Sequence, residues 1–154
     1  MTEQTSITVS RTVDAPAKEI FEILSNPERH AQIDGSGQIV SDDRTDRIQA
    51  SGEKFTMNMN AEHMGGEYKT DNHVTGFDEN KLIAWQTAPA GEEPMGWEWI
   101  WQLVPEGSDS TQVTLTYDWS KVETKQAQEI GFPIVSEEQL ESSLDRLAAA
   151  VTGA

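Results

Sequence analysis

Polar and apolar residues alternate along most of the chain, which is the period-2 pattern of a half-buried β-strand. The alternation begins in SITVSRTV, residues 6–13, and returns after Gln38 in six further runs. These runs cover roughly residues 38–49, 53–60, 67–77, 81–88, 96–104 and 111–120, with turn-forming residues between them. Because strands separated by short turns are typical of an antiparallel meander, the chain is predicted to form a seven-stranded antiparallel sheet.

Helical spacing replaces the alternation directly after the first strand. In DAPAKEIFEILSN, residues 14–26, apolar residues recur three and four positions apart, and Asp14 or Ala15 can cap the helix. Asn26 can cap a second short helix, PERHAQI at residues 27–33, which ends at the turn sequence DGSG. Two short helices are therefore predicted between the first and second strands.

The longest helical pattern lies near the C-terminal end of the chain, after a polar connection at residues 121–135. Ser136 and Gln139 have the spacing of a capping box. The apolar stripe that follows consists of Leu140, Leu144, Leu147, Ala148 and Val151. A twisted antiparallel sheet can bury its apolar face by curling around such a helix. The predicted fold class is therefore α+β, in a single domain over residues 1–154.

The segment GWEWIWQL places Trp97, Trp99 and Trp101 at every second position, which accounts for three of the five tryptophans. Alternate residues of a strand share one face, so at roughly 150–250 Å² each the indoles form a stripe of about 450–750 Å². A soluble monomer rarely exposes so large an apolar patch. The C-terminal helix extends over roughly 20 Å and can cover only part of the sheet. Each indole is therefore predicted to be either core or the wall of a cavity.

Composition and charge exclude several classes of function. The chain has 154 residues, a formal net charge of −16 and no cysteine. The charge disfavours nucleic acid and anionic membrane surfaces as partners, and the lack of cysteine excludes disulfides and sulfur-ligated zinc. Neither a metal nor a cofactor is expected, since the histidines have no metal spacing and no phosphate-binding or dinucleotide motif is present. No apolar run is long enough to span a membrane, and a cytoplasmic location is predicted.

Four segments resemble a known family. They are VSRTVDAPAKEIFEILSNPERHAQIDGSG at residues 9–37, KLIAWQ at 81–86, WIWQLVPEGSDSTQVTLTYDWS at 99–120, and the C-terminal helix. On these segments the chain resembles the START-like, or SRPBCC, superfamily, which has the helix-grip fold of the birch pollen allergen. Within it, the chain is most similar to the bacterial polyketide cyclase/dehydrase and lipid-transport family.

The resemblance implies a curved seven-stranded sheet that wraps around the C-terminal helix, with two short helices after the first strand. It also implies a hydrophobic cavity between sheet and helix, where members of the superfamily bind lipids, polyketides or other apolar molecules. Because the superfamily includes binders, carriers, co-chaperones and enzymes, the function has to be argued from the site and not from the fold.

The residues predicted to line such a cavity are aromatic or long apolar side chains at inward positions. They are Phe55, Met57, Met59, Tyr68, Trp85, Trp97, Trp99, Trp101, Tyr117, Leu140 and Leu144. Each of them could instead be ordinary core. The sequence does not decide whether Trp85 points towards the cavity or towards solvent, because Leu82 and Ala84 are apolar at the opposite parity of the same strand.

Few polar residues are candidates for catalysis or for orienting a ligand. His30 and Asp34 stand four residues apart and could act as a base and its orienting carboxylate, although we favour a solvent-exposed surface pair. Asn72 points inward if Tyr68 does, and Arg11 points inward if the apolar residues of the first strand do.

Three functions are compatible with these patterns. The leading hypothesis is the binding, and potentially the transport, of a small hydrophobic or aromatic molecule in the cavity. The first alternative is a polyketide cyclase/dehydrase-like enzyme, which would need an inward acid or base near the aromatic wall. The second alternative is a co-chaperone-like module that binds another protein, and it would be favoured by fully packed tryptophans and a closed cavity.

Overall fold

The sheet expected from the alternation is present in the computed structural model, which describes residues 4–43 and 46–152. Its seven strands within these ranges are β1 (Ser6–Val13), β2 (Ile39–Asp42), β3 (Lys54–Ala61), β4 (Gly66–Asp78), β5 (Leu82–Pro89), β6 (Glu98–Pro105) and β7 (Thr111–Asp118). All neighbouring strands are antiparallel, in the order β1-β7-β6-β5-β4-β3-β2. The first two strands of the chain therefore form the two edges of the sheet.

Strand β2 is shorter than the alternation at residues 38–49 predicts. It ends at Asp42, and residues 44–45 of the predicted run lie outside the described residues. Ile48 is buried in the core, where its N–H donates to Ser25 O at 2.8 Å. The later part of this run was therefore wrongly predicted as strand, because its apolar residue closes the end of the first helix and does not pair with the sheet.

Two short helices connect β1 to β2, as predicted. The first, α1 (Ala17–Leu24), has Pro16 at its N-cap position and no side-chain cap, so the capping predicted for Asp14 or Ala15 is wrong. Asn26 does cap the next turn, a 3-10 turn at Pro27–Arg29, by accepting from Glu28 N at 3.2 Å. That turn leads into α2 (His30–Ile33).

The polar connection at residues 121–135 contains a helix that the sequence pattern did not indicate, α3 (Thr124–Ile130). None of its residues is buried, so it has no apolar stripe from which a helical period could be recognised. A further 3-10 turn, Glu62–Met64, joins β3 to β4.

The C-terminal helix, α4 (Glu137–Thr152), begins with the predicted capping box. Ser136 Oγ accepts from Gln139 N at 3.2 Å, and Gln139 Oε1 accepts from Ser136 N at 2.9 Å. The predicted stripe is buried except for Val151, which is half-buried. Burial of each leucine of the stripe is worth about 1.5–3 kcal/mol, so packing, more than helix propensity, holds α4 in place.

The position of α4 depends on a glycine in the turn after α2. Gly35 N donates to Ser143 Oγ at 2.8 Å, and a Cβ at Gly35 would stand 2.8 Å from Ser143 N and still closer to Gln139 O. Only glycine permits this close approach. The main contacts of α4 are with β1, β7, α1 and α2, so the helix lies towards one side of the concave face.

Candidate ligand-binding cavity

A cavity of about 630 Å³ lies where α4 leaves the concave face of the sheet uncovered. Inward side chains of β3 to β7 form its floor, and α2 with the turn after it forms one wall. The segment from Ile130 to Val135 and the start of α4 supply the opposite wall. The off-centre position of α4 thus creates the space that the sequence analysis expected between sheet and helix.

Ten of the eleven residues predicted for the cavity wall lie at this cavity. They are Phe55, Met57, Met59, Tyr68, Trp85, Trp97, Trp99, Trp101, Tyr117 and Leu140. Leu144 does not line the cavity: it is 2% exposed and belongs to the core, one turn further along α4. The structure brings the ten together, and their role in binding stays a prediction.

A row of aromatic side chains crosses the floor because of the strand register. Trp85 pairs with Trp99 across β5 and β6, and Trp99 pairs with Tyr117 across β6 and β7. The rings of Trp99 and Tyr117 stack with centroids 4.1 Å apart and planes inclined by 6°. Trp85 therefore faces inward, and the ambiguity of its strand is resolved. Trp97 and Trp99 are half-buried, whereas Trp101 is 5% exposed and serves as core as well as wall.

His30 is buried at the end of this row and is not a surface residue. It is 3% exposed and makes an edge contact with Phe55 and a stacked contact with Trp85, at centroid distances of 5.4 and 5.1 Å. Nε2 lies 2.7 Å from Leu24 O, which can only accept, so Nε2 carries the proton and Nδ1 carries the lone pair. Burial lowers the pKa of His30 to about 4, against the raising effect of the bond to Leu24.

Asp34 does not orient His30, although both residues line the cavity. Its Oδ1 accepts from Ser36 N at 2.9 Å and from Ser36 Oγ at 2.6 Å, and its Oδ2 accepts from Ile39 N at 2.9 Å. The carboxylate therefore stabilises the turn between α2 and β2. The favoured prediction of a solvent-exposed pair was wrong for His30, because the ring fits between Phe55 and Trp85.

A chain of hydrogen bonds crosses the floor beside the aromatic row. Trp99 Nε1 donates to Thr87 Oγ1 at 3.1 Å, and Thr87 Oγ1 donates to Asn72 Oδ1 at 2.7 Å. Asn72 Nδ2 then donates to Phe55 O at 3.3 Å. The indole N–H can only donate and the carbonyl can only accept, so the two ends fix the direction of every bond in the chain.

Asn72 points inward, as expected if Tyr68 does, because both lie at one parity of β4 and line the cavity. Arg11 does not contribute to the cavity. It is exposed and forms an ion pair with Asp145 of α4, with 2.6 Å between Nη1 and Oδ1. At an edge strand the guanidinium reaches water and a carboxylate, so its charge stays out of the core.

Two tyrosine hydroxyls complete the set of titratable groups at the cavity. Burial raises the pKa of Tyr117, although the backbone of Ile134 partly opposes this effect. Burial and the charge of Asp34 raise the pKa of Tyr68, whose hydroxyl donates to Gln38 Oε1 at 3.3 Å. Both phenols therefore remain protonated at neutral pH.

Sequence reasoning missed several residues of the wall. Thr70 shares the parity of Tyr68 and Asn72 on β4 and could have been found from them, whereas Thr87 shares the parity of Trp85 on β5, whose facing the sequence left undecided. The sequence did not indicate that the segment from Ile130 to Val135 forms a wall, because this segment follows a helix without an apolar stripe and has no hydrophobic periodicity.

The described ranges hold neither a membrane-spanning helix nor a metal-binding cluster. Across residues 4–43 and 46–152, no helix is long and apolar enough to cross a membrane. In the same part of the chain, no group of three or more His, Cys, Asp or Glu residues is placed to hold a metal ion.

The curled sheet and the long helix across its concave face define a protein of the helix-grip class. The family model described as "Activator of Hsp90 ATPase homolog 1-like protein" matches residues 14–152, so the chain belongs to this family. The match and the solved structures confirm the predicted resemblance to the START-like superfamily and its fold.

Known proteins similar to this chain include relatives in sequence and neighbours in structure. The Mycobacterium tuberculosis protein Rv0088 is 33% identical over 113 residues, which are 72% of this chain and 47% of the relative. The chain thus spans about half the length of the curated relatives it matches. Protein Ms6760 from Mycobacterium smegmatis has a TM-score of 0.68 at 17% identity, over 97% of this chain and 92% of its own.

The Zhui aromatase/cyclase from Streptomyces sp. R1128 has a TM-score of 0.66 at 17% identity, over 96% of this chain and 93% of its own. At such identities the two solved structures establish the shared fold alone.

Proposed function

We propose that this protein binds a small hydrophobic or aromatic molecule in the cavity between the sheet and α4. The observation that carries the proposal is that Trp97 and Trp99 are only half-buried and face an open space of about 630 Å³. Ligand sites are typically apolar clefts of roughly 300–1,000 Å³ with a few polar groups. The cavity has this size and this composition.

The aromatic row favours a flat ligand. Stacked or edge contacts with indole and phenol rings add about 0.5–1.5 kcal/mol per pair beyond the burial of area. Met57 and Met59 of β3, two strands away from Trp85, supply a flexible wall, since thioethers adapt to irregular shapes. Exclusion of water would provide most of the affinity, and the hydrogen-bonded chain at the floor would orient the molecule.

A cyclase/dehydrase-like enzyme is the second candidate function, because His30 brings an uncharged base to the cavity. The His30 ring lines the cavity in contact with Phe55 and Trp85, and its Nδ1 carries the lone pair that a base requires. Substitution His30→Gln separates the two functions: an enzyme would lose turnover of a polyketide-like substrate, whereas a binding protein would show no turnover before or after the change.

The family description raises a third possibility, an activator of the Hsp90 ATPase. A module that only docks on another protein has no need of an aromatic-lined cavity, and packed tryptophans would be expected. The half-buried state of Trp97 and Trp99 supports ligand binding over this possibility.

Titration of tryptophan fluorescence with fatty acids, flavonoids and aromatic polyketides tests the proposal. Trp99 lines the cavity, whereas Trp119 is 5% exposed and does not line it, so the two provide a matched pair. Substitution Trp99→Phe should remove much of the ligand-induced change, and Trp119→Phe should preserve it. Native mass spectrometry of protein from its source cell should reveal a bound molecule. No response to any ligand class would contradict the proposal.

A further inference from the structure

Three polar groups on the cavity floor donate their hydrogen atoms within the protein. The Thr87 hydroxyl donates to Asn72, and the Asn72 amide donates to Phe55 O and, at 3.5 Å, to Thr70 Oγ1. The Trp99 N–H donates to Thr87. Thr87 Oγ1 and Asn72 Oδ1 retain lone pairs, whereas Thr87, Asn72 and Trp99 have no free N–H or O–H, so this part of the floor accepts more readily than it donates.

His30 adds a further acceptor at the cavity wall. The bond from Nε2 to Leu24 O forces the lone pair onto Nδ1, which has no hydrogen-bond partner within the described residues. The residue is 3% exposed and lines the cavity, and Nδ1 is not sealed in the core. A buried acceptor without a partner is costly unless the occupant of the cavity supplies a donor.

The charge at the wall excludes one class of occupant. Of the wall residues that the structure describes, none is Lys or Arg, and the one carboxylate is that of Asp34. The chain as a whole has a net charge of −16. A carboxylate ligand would therefore be buried without a cation to pair with, and an unpaired buried charge is strongly unfavourable.

We infer that the cavity selects uncharged aromatic molecules that carry a hydroxyl group, and that this hydroxyl donates to His30 Nδ1. The inference rests on the proposed function and specifies the class of ligand. Phenol-like aromatic molecules satisfy the acceptor and stack on Trp85 and Trp99, whereas fatty acids and aromatic carboxylates are rejected.

Three pyrene derivatives with their substituents at the same ring position test this selection. They are hydroxypyrene, methoxypyrene and pyrene carboxylate, titrated at pH 7 with isothermal calorimetry and tryptophan fluorescence as readouts. Hydroxypyrene should bind about tenfold more tightly than methoxypyrene, which cannot donate. The carboxylate should bind at least about a hundredfold more weakly than hydroxypyrene.

Matched substitutions test whether His30 causes the preference for hydroxypyrene over methoxypyrene. His30→Phe keeps an aromatic ring against Trp85 but has no acceptor, and His30→Leu has neither the ring nor an acceptor. Both should bind hydroxypyrene and methoxypyrene with nearly equal affinity. His73→Phe is the control, since His73 lies at the other parity of β4 and does not line the cavity; it should preserve the tenfold ratio.

The outcomes separate the inference from the function on which it rests. If pyrene carboxylate binds as tightly as hydroxypyrene, or if the tenfold ratio persists in both His30 variants, the ligand class is wrong while the cavity still binds. If none of the three pyrenes binds while a ligand of the fluorescence panel does, the inference alone fails; if no ligand of either set binds, the proposed function fails with it.

Discussion

The imidazole of His30 lies flat against the indole of Trp85, with ring centroids 5.1 Å apart and planes inclined by 17°. Phe55 contacts both rings edge-on at 5.4 Å. The hydrogen bond from Nε2 to Leu24 O holds the imidazole ring from a third side. Because the ring cannot turn towards water without losing these contacts, it is held as an uncharged base.

The burial of His30 makes stability depend on pH. The pKa of His30 is about 4 in the folded chain against an ordinary 6.5, so between these values the unfolded chain binds more protons. The stabilisation that the uncharged His30 gives the folded chain is fully present above pH 6.5. It is lost as the pH falls towards 4, which lowers the free energy of unfolding by roughly 3 kcal/mol in total. Urea unfolding at pH 7, 5 and 4 measures this loss.

The variant His30→Gln separates this effect from other titrations. Asp34 and Asp42 act on His30 and are retained in the variant, as are the remaining carboxylates. The variant should be less stable at pH 7, and its free energy of unfolding should lack the fall that His30 causes between pH 6.5 and 4. Equal slopes for both proteins would show that His30 does not titrate in this range.

Substitution Gly35→Ala should destabilise the fold by more than about 2 kcal/mol. The new Cβ would press on the backbone of α4 at Gln139 and Ser143, and backbone cannot move as a flexible side chain can. Urea unfolding monitored by circular dichroism measures the change.

Gly37 is the control for this prediction, since it lies in the same turn but is favoured by its backbone conformation and not by close packing. Its φ is +74° and a Cβ there would meet nothing within 4 Å. Asn tolerates this left-handed conformation, so Gly37→Asn should cost less than about 1 kcal/mol. Equal losses at the two glycines would contradict the close packing of Gly35 on α4.

Substitution Thr87→Val should destabilise the protein by about 1–3 kcal/mol, although the two side chains have nearly the same shape. It leaves the Trp99 N–H without its acceptor and Asn72 Oδ1 without its donor. The indole N–H proton of Trp99 should shift in the NMR spectrum.

The control Thr116→Val removes a hydroxyl that contacts Thr8 Oγ1 at the exposed outer face, at 3.3 Å. Its effect on the free energy of unfolding should stay within about 0.5 kcal/mol. If Thr87→Val were equally neutral, the hydrogen-bonded chain would contribute nothing measurable.

Leu140 and Leu144 form a matched pair on one helix. Both are 2% exposed, yet only Leu140 lines the cavity. Substitution of either by Ala should cost about 2–5 kcal/mol of stability. Only Leu140→Ala should also weaken the binding of hydroxypyrene, by roughly threefold or more, because it removes apolar contact with the ligand. Calorimetric titration of both variants measures the difference, and equal affinities would place the ligand elsewhere.

Much of the fold could be predicted from the sequence because its signals are local. The alternation defined the strands, and the capping box of Ser136 and Gln139 marked the start of α4. The same alternation brought nine of the proposed wall residues, all but Leu140 of α4, to one cavity, since the parity of a strand residue determines its face.

The parts that sequence reasoning missed depend on contacts between distant segments. The burial of His30 follows from how α2 packs on β3 and β5, and no spacing within PERHAQI encodes that packing. Leu144 belongs to the same stripe as Leu140, and only the off-centre position of α4 separates core from cavity wall. Helix α3 has no stripe that could reveal it.

The strand order has a mechanical consequence for the cavity. Although β1 and β2 follow each other in the sequence, they form opposite edges of the sheet, so residues 14–38 must span its full width. This connection carries α1 and α2, and α2 is joined to α4 through Gly35 and Ser143. The connection is therefore anchored at both edges of the sheet and, between them, to α4, so the cavity wall that α2 supplies is held from both edges.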